Sequence, residues 1–578
     1  MNPPVRWKNR LALTLILLLA FVLRLYGLRW GIPNAQHLHS YHPDEFDIAG
    51  RAAWMLARGD LNPHFFNYGS LTIYLTFFVG TIAFALGFIN DLGGWHLVAR
   101  LITVVFGTLT VGVVFLIGRT LCNETVGRVA AMFLAVLPGH VVHSHYATVD
   151  VPATFFITLS LLSAAHILTA PAMRWYALAG LSAGWAGACK YNAGIVMLCA
   201  FAAHIVRVKG LQFRAGADRS ASAEHAGSIS HNELSTVKPQ TVGEPDSEPS
   251  TLNPPPSGVA LLLTLFAAAV AFLLSCPYAL LDFPQFHKNF MEEWRHVHQG
   301  HGLIFVNTGN GFWYHLTFNL PIALSAPLLV LSVLGFLGSL WERKPRDWML
   351  AAFVVPYFFL IGSVQVRFLR YTLPLTPLLA LYAAQWIEAW KWTRPPDGQE
   401  LLRRAVRSLA LVYALLYTLA HVAVFARPDP RDAAAAWMQQ YKGASVGLLQ
   451  IPWFQTPPLT EFNGGTKTKA QFEAERARWQ YKFVITGWDT SILKEKRPQF
   501  FVMSEFEWCE EKRLQRKEWT AFLRALKAEG YILVKTFANP PRLWGWRVVP
   551  SYVPHDWLYP FPSVRIYRLG TSGTALRK

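Results

Sequence analysis

The amino-acid sequence predicts a polytopic α-helical membrane protein with a C-terminal α/β domain. Hydrophobic residues make up 53% of the 578 residues and charged residues only 15%, far from the averages of soluble domains. Apolar runs long enough to cross a bilayer recur through the first three quarters of the chain. Later runs are short and alternate with polar segments. We therefore predict two domains, residues 1–427 and 428–578.

The net charge of +18 does not indicate nucleic-acid binding. Half of it lies in residues 428–578, and the rest lies mostly at the ends of apolar runs. The positive-inside rule and anionic headgroups favour basic residues at such positions. The five cysteines show no Cys-x-x-Cys spacing, so we expect neither a disulfide framework nor a cysteine zinc site.

The first apolar run, residues 11–28, follows three basic residues and lacks a small-residue cleavage site. We interpret it as a signal anchor with a cytoplasmic N-terminus. Further apolar runs lie at about 70–89, 98–118, 127–147, 151–169, 176–188, 191–206, 259–280, 317–340, 348–364, 369–391 and 403–425.

Basic clusters decide which of these runs cross the membrane. The basic clusters lie at 119–128, 207–219, 341–346 and 391–407, and all four should be cytoplasmic. A crossing at 70–89 would place the cluster at 119–128 outside, so we predict that this run does not cross. That run is rich in threonine, tyrosine and glycine, which suits a helix in the outer interface or a re-entrant one. We predict about eleven crossings and an extracytoplasmic C-terminal domain.

Residues 211–258 are rich in serine, proline and glutamate and contain almost no large apolar residue. We predict a disordered cytoplasmic linker there, because such a composition cannot bury a core. The C-terminal domain alternates strand-like and helical runs, which is typical of a small α/β domain. The expected strands are 445–450, 482–486, 499–504, 531–537 and 564–567, and the expected helices are 431–440, 470–479 and 513–529.

Two polar stretches on the predicted outer face carry carboxylates. Asp44 and Glu45 open a helix that should lie on the membrane. Asp150 precedes Pro152, a first-turn proline, and so also stands at a helix start on that face. Each aspartate alone could be only a helix cap. Two carboxylates brought to one interface are, however, what acid–base work on a hydroxyl requires.

Three cations lie near the same face. Lys190 occupies a glycine-punctuated break between two short apolar runs, and Arg367 and Arg370 stand at the outer end of another crossing. An anchored phosphate would need such partners to neutralise its charge. The alternative is that these side chains reach to lipid headgroups.

Histidines cluster in three places on the predicted outer face. They are His37, His39, His42, His140, His143, His145, His296, His298 and His301. A divalent metal could be held by some of these with the carboxylates, the candidate ligands being Asp44, Asp150, His143 and His145. No fixed metal-binding spacing supports such a site, and water-facing histidines at a membrane boundary are the alternative.

Four motifs together resemble the GT-C glycosyltransferases, and within them the branch of protein O-mannosyltransferases and aminoarabinose transferases. The motifs are His42-Pro-Asp-Glu45, Tyr146-Ala-Thr-Val-Asp-Val-Pro-Ala-Thr-Phe-Phe156, the glycine-rich helix pair around Lys190, and Arg370-Tyr-Thr-Leu-Pro-Leu-Thr-Pro377. The resemblance covers about residues 10–425. It implies a GT-C-like fold and an enzyme that moves a sugar from a polyprenyl-phosphate carrier to an acceptor hydroxyl on the outer face of the membrane.

The resemblance also implies roles for individual residues. Asp44 would be the base, with Glu45 and Asp150 supporting the site. The carrier phosphate would be held by Lys190, Arg367 and Arg370, and further substrate contacts are expected from His42, His145 and Tyr68. No cofactor is required by this chemistry. Members of the branch often carry Lys-Pro-Pro where this chain has Phe65-Phe-Asn-Tyr-Gly-Ser70, so the resemblance leaves the sugar open.

Two other functional classes remain as alternatives. A lipid-linked sugar flippase or secondary transporter would show repeated halves and midplane ionisable residues, whereas here no repeat is visible and the charges gather at the outer rim. A structural scaffold would need no paired carboxylates. The only Asn-x-Ser/Thr sequon is at Asn123, on the predicted cytoplasmic side, which favours a prokaryotic plasma membrane over the secretory pathway.

Overall fold

The computed structural model describes residues 3–209, 257–389 and 396–570. The predicted linker, residues 211–258, lies outside these residues except for its last two, which begin a helix.

The first three quarters of the chain form a helical membrane protein. Its α-helices are Pro3–Leu25, Arg51–Arg58, Leu71–Ala85, Leu92–Leu121, Glu124–Ala135, Pro138–His143, Asp150–Thr169, Met173–Cys189, 197–209, Ser257–Ser275, Tyr278–Leu281, Phe283–Gln299, Gly311–Tyr314, Leu320–Leu324, Ala326–Glu342, Pro345–Ser363, Thr376–Ala389 and Pro396–Val422. Within the described residues, five helical stretches are long and apolar enough to cross a membrane. They are Leu92–Leu121, Asp150–Thr169, Tyr191–Lys209, Gly258–Ser275 and Gly398–Tyr441. The count of about eleven crossings stays a prediction.

One expected crossing is broken. The apolar run at 127–147, which we count as one crossing, contains two helices: the first ends at Ala135 and a short second one begins at Pro138. Proline lacks a backbone N–H and disfavours a helical conformation in the residue before it, while it fits the first turn of a new helix. The break leaves residues 144–149 outside any helix, next to the start of helix Asp150–Thr169.

The first loop also differs from a single interfacial helix. A 3₁₀ turn at Pro43–Glu45 and a π-helical turn at Phe46–Gly50 precede an α-helix that spans only Arg51–Arg58. The following helix, Leu71–Ala85, has 15 residues and therefore rises roughly 22 Å, less than the ~30 Å hydrocarbon core. That this segment does not cross the membrane stays a prediction.

The predicted C-terminal α/β domain is confirmed. Its strands are β1 (Ser445–Leu448), β2 (Lys482–Ile485), β3 (Phe500–Ser504), β4 (Tyr531–Phe537), β5 (Arg542–Leu543), β6 (Trp546–Arg547) and β7 (Val564–Leu569). The main sheet has the order β2-β1-β3-β7-β4. Strand β1 runs parallel to β2 and β3, and β7 runs antiparallel to β3 and β4. Strands β5 and β6 form a separate hairpin.

Helices cover the sheet. They are Pro430–Met438, Lys469–Glu475, Thr490–Lys496, Glu505–Arg513 and Lys517–Ala528. The second and fourth begin with a capping box, in which Thr468 pairs with Gln471 and Ser504 with Glu507. The helix Glu505–Arg513 was not predicted, although the Ser-x-x-Glu pattern at its start is a recognised sequence signal.

The segment between strands β6 and β7 is buried against the membrane helices. Val553, Trp557 and Phe561 belong to the same apolar core as the helices. The Trp557 indole is fully buried and donates a hydrogen bond of 3.1 Å to His421 Nε2 in helix Pro396–Val422. Residues 549–561, which we call the docking segment, therefore connect the C-terminal domain to the membrane helices.

Candidate active site

A small polar pocket lies where the first loop, the turn before helix Asp150–Thr169 and the turn Leu369–Leu375 meet. Its lining residues are Asp44, Ile48, Tyr68, Thr148, Val149, Asp150, Lys190, Arg370 and Tyr371. The cavity measures about 10 Å³, roughly the room of one water molecule. The fold thus brings together five of the residues that the sequence singled out: Asp44, Tyr68, Asp150, Lys190 and Arg370.

The first of two ion pairs in this pocket joins Asp44 to Arg370. Arg370 Nη2 lies 2.9 Å from Asp44 Oδ2, and the Asp44 side chain keeps 24% of its surface exposed. The guanidinium also lies 4.3 Å from the centre of the Phe368 ring. Its Nη1 is buried without a hydrogen-bond partner among the described residues, so Arg370 retains donor capacity for an anion.

The second ion pair joins Asp150 to Lys190. Lys190 Nζ lies 2.7 Å from Asp150 Oδ1 and 4.1 Å from the centre of the Tyr371 ring. Helix Met173–Cys189 ends immediately before Lys190, whose backbone is extended. The glycine-punctuated break seen in the sequence is therefore the point at which the chain turns this cation into the pocket.

A carboxylate of the docking segment holds Arg370 in place. Asp556 is fully buried, and its two oxygens accept the backbone N–H groups of Leu369 (3.0 Å) and Arg370 (2.9 Å). Burial raises the pKa of Asp556, and the neighbouring Arg370 opposes this rise. Sequence reasoning missed Asp556, because nothing in its local pattern signals a contact with a turn 186 residues away.

Glu45 does not line the pocket and forms a buried ion pair. Arg100 donates from Nε to Glu45 Oε1 and from Nη2 to Glu45 Oε2, both at 2.7 Å, and both side chains are fully buried. The same carboxylate accepts the N–H of Ala147 at 2.7 Å and the Ser40 hydroxyl. Burial opposes ionisation, but Arg100 outweighs it and lowers the pKa of Glu45 to about 2.

Arg100 was also missed by sequence reasoning. It donates two further hydrogen bonds, to the carbonyl oxygens of Leu28 (2.7 Å) and Trp30 (2.6 Å). A charged residue inside an apolar helix is a functional or structural signal in itself. Glu45 and Arg100 together tie the first loop to helix Leu92–Leu121 and to the residues that precede Asp150.

Three other residues expected to contact the substrate lie outside the pocket lining. Arg367 donates to Thr308 Oγ1 (2.7 Å) and to the Gly309 carbonyl (2.8 Å). The ring nitrogens of His145 lie 2.9 and 3.0 Å from backbone carbonyl oxygens, and the ring stacks on Phe425. His42 is fully buried, with its ring 4.5 Å from those of Tyr146 and Tyr559. Burial lowers the pKa of His42 to about 4, so this ring is neutral near pH 7.

The metal hypothesis receives no geometric support. Across residues 3–209, 257–389 and 396–570, no group of three or more histidine, cysteine, aspartate or glutamate side chains is arranged to hold an ion. Of the candidate ligands, Asp44 and Asp150 are engaged with cations, and His145 faces backbone carbonyls.

A larger groove adjoins the pocket. It measures about 480 Å³ and shares Tyr68, Lys190 and Tyr371 with the polar pocket. Its apolar lining includes Phe290, Trp294, Val297, Leu360, Ile361 and Val364. A charged pocket that opens into an apolar groove suits a molecule with a polar head and a hydrocarbon tail.

Comparison with known proteins connects part of the chain to a family. Residues 81–212 match the model of the dolichyl-phosphate-mannose-protein mannosyltransferase family. The matched segment includes Arg100, Asp150 and Lys190, and it confirms the resemblance to the mannosyltransferase branch that the motifs indicated. A comparison with curated protein sequences found no match.

Two of the solved structures that are similar to this chain come from an archaeon and a bacterium. One is the oligosaccharyltransferase of Archaeoglobus fulgidus in the apo form, with 14% identity, coverage of 96% of this chain and 77% of that chain, and a TM-score of 0.48. The other is ArnT from Cupriavidus metallidurans in the apo state, with 13% identity, coverage of 98% of each chain, and a TM-score of 0.48.

Proposed function

We propose that this chain, whose residues 81–212 match the mannosyltransferase family model, is a membrane glycosyltransferase. Its donor is a sugar carried on a polyprenyl phosphate, and its acceptor is a hydroxyl group of a protein, lipid or glycan at the outer face of the membrane. The observation that carries the proposal is the pocket in which two carboxylates and two cations meet beside an apolar groove.

The chemistry needs these groups and little else. A sugar phosphate ester is already activated, so the protein must hold the departing phosphate with cations and remove a proton from the attacking hydroxyl. The acceptor oxygen forms a bond to the anomeric carbon, the bond from that carbon to the phosphate oxygen breaks, and the electron pair leaves with the phosphate. The hydroxyl proton passes to a carboxylate. A single displacement of this kind inverts the anomeric centre.

Asp44 is the better placed of the two carboxylates to act as base. Its side chain keeps 24% of its surface exposed, whereas that of Asp150 keeps 3%. An acceptor arriving from outside can therefore reach Asp44 first, while Asp150 orients Lys190. Glu45 has all its hydrogen bonds inside the protein, so we assign it a positioning role instead of contact with the substrate.

The groove suits the carrier lipid. Lys190 stands at the boundary between the polar pocket and the groove, where a phosphate joined to a hydrocarbon chain would place its charge. The isoprenoid chain would then lie along the apolar side chains of the groove and be removed from water.

Transfer by the purified protein in detergent tests the proposal. The protein is incubated with a radiolabelled polyprenyl-phosphate sugar, and release or transfer of the labelled sugar is measured. A flippase or secondary transporter moves its substrate between compartments, which detergent solution does not have, so it would leave the donor intact. An intact donor in the presence of candidate hydroxyl acceptors and water would contradict the transferase assignment.

Neutralising either pocket cation should weaken donor binding. We expect Arg370→Gln and Lys190→Gln each to lose about 1–3 kcal/mol of donor-binding free energy, the range for a charge-assisted contact, which is roughly 5-fold to 150-fold in affinity. Donor titration of the folded variants measures this loss. Arg367→Gln is the matched control, because Arg367 lies outside the pocket lining. An unchanged donor affinity in Arg370→Gln, or an equal loss of affinity in Arg367→Gln, would contradict the proposal that this pocket binds the carrier phosphate.

The proposed orientation places the N-terminus in the cytoplasm of a prokaryotic cell and the C-terminal domain outside its plasma membrane, with about eleven crossings. Cysteines introduced at Ser228 and Ser572 should then react oppositely with a membrane-impermeant thiol reagent applied to intact cells. We expect labelling at 572 and none at 228, with the unsubstituted protein as the background. Labelling of both positions from outside would refute this topology.

A further inference from the structure

The hairpin of β5 and β6 exposes two large aromatic side chains. Trp544 is 82% exposed and Trp546 is 80% exposed. A tryptophan side chain is large and mostly apolar, so its exposure to water is unfavourable. Neither ring contributes to the core of the C-terminal domain, so fold stability does not account for them.

The geometry of the turn does not account for Trp544 either. Trp544 and Gly545 are the two residues between the paired strands, and both have positive φ, +48° and +86°. This is the two-residue hairpin turn in which asparagine or aspartate followed by glycine is preferred. A bulky residue with positive φ is unfavourable. Trp544 therefore exposes its indole ring at the tip of the hairpin in spite of an unfavourable backbone conformation.

The hairpin lies beside the membrane-facing surface of the protein. Strand β5 packs on helix Pro396–Val422, which belongs to a long apolar stretch able to cross a bilayer. Just beyond this helix, Arg427 contacts Asn539, three residues before the hairpin, at 3.4 Å. The packing therefore lies near the C-terminal end of the helix. Exposed apolar side chains continue along that helix at Leu409, Val412, Tyr413 and Leu419.

Charge at the hairpin points to an anionic surface. Arg542 and Arg547 lie directly opposite each other in the two strands, and like charges in that position destabilise a hairpin. Neither forms an ion pair among the described residues of the protein; Arg542 reaches only the Gly545 carbonyl, and Arg547 reaches those of Val549 and Pro550. Phosphate groups would neutralise both guanidinium groups.

We propose that the hairpin Arg542–Arg547 anchors the C-terminal domain to the lipid bilayer. Trp544 and Trp546 lie in the headgroup region around the end of helix Pro396–Val422, where amphipathic indole rings are favoured. Arg542 and Arg547 face the lipid phosphates. The docking segment follows the hairpin directly and contains Asp556. Anchoring the hairpin therefore also restrains Asp556 in its contact with Arg370.

Depth measurement with spin labels tests this anchor. The full-length protein carries a label at Trp544→Cys or Trp546→Cys in lipid nanodiscs, and collisions with oxygen and with a water-soluble nickel complex are compared. The control is Lys482→Cys, an exposed position on β2, the strand at the opposite edge of the sheet from β4. If replacement of the turn residue Trp544 unfolds the hairpin, the label at position 546 still tests the proposal.

We expect labels at 544 and 546 to meet the nickel complex several-fold less often than the label at 482, and oxygen more often. Equal nickel access at 546 and 482 would overturn the proposal. Shielding that develops only when a soluble oligosaccharide is added would also overturn it, because the tryptophans would then be a stacking surface for sugars.

Discussion

Replacement of Asp44 by asparagine is expected to lower the turnover number for sugar transfer by about 100-fold or more, the scale of general-base catalysis. Asparagine keeps the size of the side chain, so the loop should fold, but it cannot take up the proton of the acceptor hydroxyl. The ion pair with Arg370 is also lost. The guanidinium becomes more available to the carrier phosphate, so donor affinity should be unchanged or tighter. Single-turnover rates at saturating donor, together with donor titration, measure both effects.

Asp47→Asn is the matched control for this variant. Asp47 lies in the same loop and pairs with Arg51 at 3.1 Å, but it does not line the pocket. Its turnover should stay close to that of the unaltered protein. Near-normal turnover in Asp44→Asn would place the base elsewhere, with Asp150 as the next candidate. An equal loss in both variants would indicate disruption of the loop instead of loss of a base.

Replacement of Glu45 by glutamine is expected to lower the free energy of unfolding by about 3–5 kcal/mol, the cost of breaking a buried ion pair from one side. The Arg100 guanidinium would stay fully buried without a counter-charge. The variant should therefore melt at a clearly lower temperature in detergent. Turnover per folded molecule should fall less than in Asp44→Asn, because Glu45 does not line the pocket.

The acid dependence of stability identifies Glu45 as the source of this loss. Its pKa is lowered from 4.5 to about 2 in the folded protein. A carboxylate with a lowered pKa stabilises the fold above its unfolded-state pKa, and this contribution is lost as pH falls from about 4.5 toward 2. Over this window the unaltered protein should lose more stability than Glu45→Gln.

The double variant Glu45→Gln with Arg100→Gln provides the control. Its loss should be smaller than the sum of the two single losses, because partners in one ion pair are not independent. Equal melting temperatures of Glu45→Gln and the unaltered protein near pH 7 would show that the buried pair contributes nothing to stability.

Much of the C-terminal domain was predictable because its signals are local. Strand β4 was expected at 531–537 and is found there, and the start of β1 was placed at Ser445. Turn residues and short apolar runs define such strands within a few neighbouring residues. The broken crossing at 127–147 was not predicted, although Pro138 is visible in the sequence, because an apolar run has the same hydropathy whether or not its helix is continuous.

The candidate site was partly predictable for a different reason. Counting crossings assigns each loop to one side of the membrane, and this alone placed Asp44, Asp150 and the cations at one face. The side of the membrane on which a residue lies does not determine which other residue it contacts. The pairing of Asp44 with Arg370 and of Asp150 with Lys190 depends on how the helices pack.

The sequence by itself determined the membrane class, the C-terminal α/β domain and a set of candidate residues for acid–base and phosphate chemistry, because composition, periodicity and residue type are local properties. Only the tertiary structure decided which of them meet. It separated Arg367 from the pocket, turned Glu45 toward Arg100 and brought Asp556 to the backbone of Arg370. These contacts join residues 55 to 186 positions apart. Long-range packing sets such distances, and no local pattern encodes them.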